Sequence, residues 1–493
     1  MLLPLTAGCL NAIEGPAELI PRTLVYRPRA VTVEANQLLV DGTPFLVKGV
    51  LYNPVPPGVD PGQAGGWNVV DHPEVYREDF RLMKEMGVNT IRIVNTTGNI
   101  PAMMAFLDEA SRFGLNVILG HQGPMGSDPG DDRVRERFLD EVRTIVDAYR
   151  LHPALLLWVL GEEMNGQPMR SVDTWYTLLD EAARLTKRLD GNHPIATANQ
   201  GVTDLLRFRQ LSPSVDIFGL NTDLVDPTGW RQWVYPGYYT TVSDRPILVT
   251  SFGVDALDAE RGAVDEATQA RLLRENWDEI ALQAQGGFNQ SIGGVVNEWS
   301  DSWWRRGSPN AQDLLPDWVP REGSSVLPDG TLSSEWFGIV AHDPVTGKRV
   351  PREAYRALKQ AWTDPSAGSP PALASVRTEK IGNAIKVTAD VVTYGGIPVN
   401  VTLKYRLKAD AWRELPMTLE NGTYVATLGP FDGIAILFYS VIAVDAAGRT
   451  MESAGHAARE VPSTPPLGSA AAALGTAALL GLLARARQGV RRQ

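Results

Sequence analysis

One cysteine, Cys9, stands in a chain of 493 residues, so no disulfide can form within it. Metal-ligating patterns are missing as well. His72, His121, His152, His193, His342 and His456 never fall at HxH or HExxH spacing, and no metal site is expected. The chain has neither a GxSxG elbow nor a phosphate-cradling Walker loop, so no cofactor is expected either. Clusters of Lys or Arg are absent from the main body, and the formal net charge is −11. Nucleic-acid binding rests on neutralising phosphates with basic groups, which excludes it as a function. Low-complexity blocks are also lacking; 44% hydrophobic and 21% charged residues describe a globular protein.

What is present begins with thirteen tryptophans in an acidic chain, a supply of flat apolar faces that suits sugar rings. The length implies one large domain and at least one small one. Residues 1–30 read as an export segment and linker, because LTAGC around Cys9 is close to the motif in which bacterial lipoproteins are lipid-modified. At the other end, Val461–Pro466 (VPSTPP) precedes the apolar run Leu467–Ala484, which is followed by Arg485, Arg487, Arg491 and Arg492. About eighteen apolar residues is the lower limit for crossing a bilayer, and the basic cluster orients such a span. Residues 461–493 are therefore expected to be a transmembrane or sorting tail. Both ends point to an exported protein held at the cell surface.

Between these ends, short β-branched runs alternate with helical stretches from Phe45 to about Trp362. Strands are expected at FLVKGVLY, TIRIV, NVILG, LLLWVL, IATA, IFGLN, ILVT and GGVV, with helices in most of the gaps. The helices after the fifth and sixth strands are the weakest in pattern. Eight such units predict a (β/α)₈ TIM barrel over residues 31–365, fed by a leading hairpin at Val31–Val40. After the linker Pro365–Pro371, alternating strands with turns predict a small immunoglobulin- or fibronectin-like β-sandwich over residues 366–460. Trp412, Tyr424 and Tyr439 fall on alternating strands and are expected in its core.

Function in such barrels sits at the C-terminal ends of the strands. Those ends carry Tyr52, Arg92, His121, Glu162 with Glu163, Asn165, Asn199, Asn221 with Asp223, Ser251, and Asn297 through Asp301. A rim of amides and carboxylates with Trp299 nearby fits an oligo- or polysaccharide, whose hydroxyls need paired donors and acceptors.

Here the chain resembles a family. HPALLLWVLGEE from His152 is similar to the strand-four segment of glycoside hydrolase family 2 and its clan A relatives, where the strand ends in W-x-x-G-N-E. RPILVTSFGVDALD from Arg245 resembles their strand-seven segment, in which a glutamate precedes [FY]-G. GVNTIRIVN from Gly87, DGTPFLVKGVLYNP from Asp41, GGVVNEWSDSWW from Gly293 and EWFGI from Glu335 extend the likeness over most of residues 31–365. The resemblance implies a glycoside hydrolase or transglycosylase acting on O-glycosidic bonds. Glu163 takes the general acid/base position, Arg92 that of the arginine orienting the nucleophile, and Trp299 that of an aromatic under the sugar.

Two positions depart from the pattern. Glu162 replaces the asparagine that binds the sugar 2-hydroxyl, and Ser251 stands at the nucleophile position. A retaining glycosidase needs two carboxyl groups about 5–5.5 Å apart, so a second acid must come from elsewhere. Glu298, Asp223 and Glu162 are the candidates. The sugar contacts would come from Arg92, Glu162, Asn221, His121, Trp299 and Asp301. The alternative is a catalytically impaired glycan-binding pseudoenzyme at the cell surface.

Overall fold

The computed structural model of the chain describes residues 26–458 apart from internal stretches, chiefly 223–229, 231–233, 286–289, 318–328, 365–370, 393–398 and 432–436, and a few shorter gaps. Cys9, Asp223 and the apolar tail beyond Val461 lie outside the described residues.

Eight parallel strands close into a barrel. They are β1 (Val47–Leu51), β2 (Thr90–Arg92), β3 (Asn116–His121), β4 (Leu155–Glu162), β5 (Ile195–Gln200), β6 (Ile217–Thr222), β7 (Ile247–Phe252) and β8 (Ser291–Val296). Each pairs with the next, and β8 pairs back with β1. Helices α1 (Pro73–Met86), α2 (Ile100–Arg112), α3 (Asp132–Tyr149), α4 (Val172–Leu189), α5 (Leu205–Leu211), α6 (Tyr235–Thr241), α7 (Glu266–Gln285) and α8 (Glu353–Thr363) follow the strands in turn. The two units with weak helical pattern have the shortest helices, of seven residues each.

Local chemistry sets the helix ends. Asp131 accepts from the backbone N–H groups of Arg133 and Val134 to start α3, and Asn99 does the same for α2 through Ala102. Gly87 closes α1 at φ 91°, where a side chain would be strained. A Cβ there would also lie 2.8 Å from Thr363, so the glycine lets α1 end against α8.

Side chains divide between two cores. Val47, Ile118, Leu157, Val159, Ala196, Ile217, Leu248 and Val295 fill the barrel interior, joined by Val31, Leu38 and Val40 of the leading hairpin. The opposite strand faces, including Leu155, Trp158 and Leu160 of β4, pack with Phe106, Val142, Trp175 and Leu179 from the helices. Burial on both faces explains why these strands read as continuous apolar runs.

Residues 370 onward form a separate unit. One antiparallel sheet contains Ala372–Ile381, Ala384–Val392, Thr423–Leu428 and Thr418–Glu420; the other is built on Val399–Leu407 and Leu437–Asp445. Leu373, Val387, Ala389, Leu403 and Val441 are buried between strands of this β-sandwich. Tyr439 is buried and Tyr424 half-buried, but Trp412 is 45% exposed, contrary to expectation. It precedes the edge strand Arg413–Pro416 and stands over Lys404 and Arg406 rather than over apolar residues.

Candidate active site

Consecutive residues of a regular strand point to opposite faces, so Glu162 and Glu163 would ordinarily diverge. Two irregularities bring them together. The register between β4 and β5 shifts between Val159 and Glu162, and that between β7 and β6 shifts between Val249 and Ser251. Such bulges re-aim side chains. Gly161 sits at φ 87° with the Trp175 ring 2.1 Å from where a Cβ would be, and Glu163 is left-handed at φ 49°.

As a result, the Asn221 amide donates to both carboxylates from one nitrogen: 2.6 Å to Glu162 Oε1 and 3.0 Å to Glu163 Oε1. The Thr250 hydroxyl donates to Asn221 Oδ1 at 2.7 Å and thereby fixes which way the amide faces. Arg92 completes the cluster. Its guanidinium is buried, donates to the Thr250 carbonyl at 2.9 Å, and forms an ion pair with Glu162 Oε2. Glu162 is the only carboxylate within ion-pair reach of Arg92 among the described residues.

Ser251 lies at the end of β7, opposite Asn221 in the register and 8% exposed. It brings no carboxylate to this cluster. Beyond Glu163, β4 is tied to β5 by Asn165, which donates to the Gln200 carbonyl at 3.0 Å and accepts from the Gln200 N–H at 2.8 Å.

The remaining candidates are employed elsewhere. Glu298 is 3% exposed, accepts from the Ser302 hydroxyl at 2.7 Å and pairs with Arg305 at 3.1 Å. Asp301 is bound by both terminal nitrogens of Arg352, at 2.8 and 2.7 Å, and by the Gly338 N–H. Burial pushes its carboxyl up to about 6 even with that arginine beside it. These bonds anchor the segments around Gly338 and Arg352 to the loop after β8.

Trp299 is wholly buried, edge-on to Tyr355 of α8, and offers no ring face to a sugar. His121 accepts from the Gly123 N–H on Nδ1, which puts its proton on Nε2, 2.8 Å from Glu141 of α3. Burial holds its pKa below the usual value, and its bonds link β3 to α3 rather than to the cluster.

Sequence reasoning missed Thr250 and the two bulges. Thr250 had a signal: a polar residue inside the otherwise apolar ILVT. The bulges had only Gly161. Among the described residues no group of side chains is arranged to hold a metal ion.

An eight-stranded parallel barrel with an amide-linked carboxylate pair on β4 defines the class: a (β/α)₈ barrel with its polar cluster at the strand C-termini. Its family follows from comparison. Residues 31–275 match the model for glycosyl hydrolases family 2, TIM barrel domain, and the barrel belongs to that family. The match includes Arg92, Glu162, Glu163 and Ser251 and stops before β8 and the loop after it, which carries Glu298, Trp299 and Asp301.

A β-galactosidase of Arthrobacter is 29% identical over 174 residues, covering 33% of this chain and 16% of that protein. The 1,3-beta-glucanosyltransferase gel2 of Aspergillus fumigatus is 26% identical over 202 residues, 37% of this chain and 41% of its own length. The crystal structure of Bacteroides uniformis beta-glucuronidase shares the fold at a TM-score of 0.50 and 16% identity, over 89% of this chain and 48% of that one. The chain thus spans less than half the length of each of these relatives.

Proposed function

We propose that the barrel acts on O-glycosidic bonds of an oligo- or polysaccharide, as a glycosidase or transglycosylase. Glu163 is the general acid/base and Glu162 the second carboxylate. The observation that carries this reading is the single Asn221 amide bonded to both glutamates, with Arg92 holding Glu162. Glu163 would protonate the leaving oxygen as the glycosidic bond breaks. Glu162 stands where an arginine and an amide orient it, as a nucleophilic carboxylate requires. Two oxygens bonded to one nitrogen lie no farther apart than the sum of those bonds. That favours the close spacing of a retaining pair over the ~6.5–9.5 Å of an inverting one.

A second reading is favoured by Ser251. Strand β7 carries a hydroxyl at this position, and Glu298 and Asp301 are each tied to an arginine. The protein would then bind glycan without cleaving it. Turnover on a glycan panel by wild type and Glu163→Gln, with calorimetry on the same ligands, separates the two. Turnover lost in the variant supports the enzyme; binding without turnover in the wild type supports the binder.

The surface location is part of the same proposal. It is supported by LTAGC at Cys9 and by the apolar run before the C-terminal arginines. Among the described residues no helix is long and apolar enough to cross a membrane. Membrane fractionation of the chain with and without residues 461–493 tests it.

A further inference from the structure

Trp412 is an aromatic that the sandwich core does not use. The strand Val399–Leu407 runs between Arg413–Pro416 and Leu437–Asp445. Its residues Val401 and Leu403 are buried, which puts Lys404 and Arg406 on the opposite, outward face. Phe438 is directly opposite Arg406 in the register and shares that face.

The Arg406 guanidinium lies 4.9 Å from the Trp412 ring centre and 5.0 Å from that of Phe438, a cation held between two rings. The Lys404 ammonium is 5.5 Å from the same indole. The two cations differ in one respect. Lys404 pairs with Glu452 at 3.6 Å, and Glu414 is its neighbour across the strands. Arg406 pairs with no carboxylate among the described residues, and its Nε is buried without a hydrogen-bond partner. Rings on both sides restrict the guanidinium, so its terminal N–H groups are pre-positioned beside an exposed indole.

We propose that this face binds an anionic polysaccharide, one whose sugar rings carry carboxylates. The indole of Trp412 takes the apolar face of one ring, and the forked guanidinium of Arg406 takes the carboxylate. The choice of a sugar rests on the carbohydrate reading of the barrel; the charge requirement rests on Arg406 alone. A folded protein partner is the poorer fit, since stable docking buries about 800 Å² on each side. This face offers one half-exposed indole and a cation.

The test is affinity electrophoresis and calorimetry of the full chain with polygalacturonate and with its methyl ester, at roughly 0.15 M salt. Polygalacturonate should retain the wild type. Its affinity should fall about tenfold or more in Trp412→Ala and in Arg406→Gln, and likewise when the ester replaces the acid. Trp412 is exposed and Arg406 half-buried, and unchanged thermal midpoints will show that folding is intact.

Glu163→Gln should bind polygalacturonate as the wild type does, whether or not the barrel turns over any glycan. Equal binding by the Trp412 or Arg406 variants, or equal binding of acid and ester, would overturn the proposal. So would failure of the wild type to be retained, or loss of binding in Glu163→Gln alone.

Discussion

Arg92 is buried and has one carboxylate partner among the described residues, so moving that carboxylate should reveal what the site requires. Glu162→Asn removes the partner and leaves the guanidinium with the Thr250 carbonyl alone. Removing one member of a buried ion pair costs about 3–5 kcal/mol. Glu162 is itself 21% exposed, which places the loss near ~3 kcal/mol. A barrel of this size unfolds with an entropy of about 0.7 kcal/mol per kelvin, so the midpoint should fall by roughly 4 °C.

Ser251→Glu on that background returns a carboxylate to β7, next to the residue whose carbonyl already holds Arg92. It should recover at least half of the loss. In the wild type the same substitution sets two carboxylates against one arginine and should destabilise. The double-mutant cycle then shows a favourable coupling of about 2 kcal/mol. Calorimetric unfolding of the four proteins measures it, and hydrolysis of aryl glycosides by the double variant tests whether a carboxylate on β7 serves Glu163. Two results would refute the argument: a midpoint within about 1 °C of wild type for Glu162→Asn, or equal destabilisation by Ser251→Glu in both backgrounds.

Three further outcomes follow from single contacts. Thr250→Val keeps the shape but leaves Asn221 Oδ1 without its donor; stability should fall by about 1–3 kcal/mol in denaturant titration, and glycan affinity or turnover with it. Gly161→Ala forces a Cβ into Trp175 at a left-handed φ and should cost more than ~3 kcal/mol, seen as loss of soluble protein or of the barrel's unfolding transition. His342 is buried against Arg349, and burial pushes its pKa down to about 4, so the folded chain holds it neutral. The unfolded chain takes up the proton first, near pH 6.5, so this contribution is intact above that value and is lost as pH falls toward 4. Between pH 6.5 and 4.5, wild type should lose about 2–3 kcal/mol more stability than His342→Gln; parallel pH profiles would exclude the effect.

The barrel was legible because its signal is periodic and long: eight apolar runs, each followed by a helix-length segment. Trp412 went wrong for a related reason. Alternation in a strand indicates which residues share a face, and Trp412 sits just before its strand, where alternation no longer applies. The rim was less legible because its acids look alike in sequence. Glu298 finds Arg305 seven residues away, and Asp301 finds Arg352 fifty-one residues away. His121 finds Glu141 twenty residues on, across a helix. Only the fold reveals that each is already partnered.

The pairing of Glu162 with Glu163 was hidden for a stricter reason. Regular β-geometry predicts that neighbours diverge, and a one-residue bulge reverses that prediction with no signature beyond Gly161. On the proposed reading the two departures from the family pattern belong together. A buried guanidinium needs a negative charge nearby, and on that reading the fold accepts it on β4 as it would on β7. Glu162 supplies it as Ser251 does not, so the exchange should leave the barrel's stability largely unchanged. Its chemistry is not indifferent, because a nucleophile must also reach the sugar carbon opposite the acid. The stability of the double variant thus tests whether Arg92 accepts its charge from either strand, and turnover tests whether the reaction follows it.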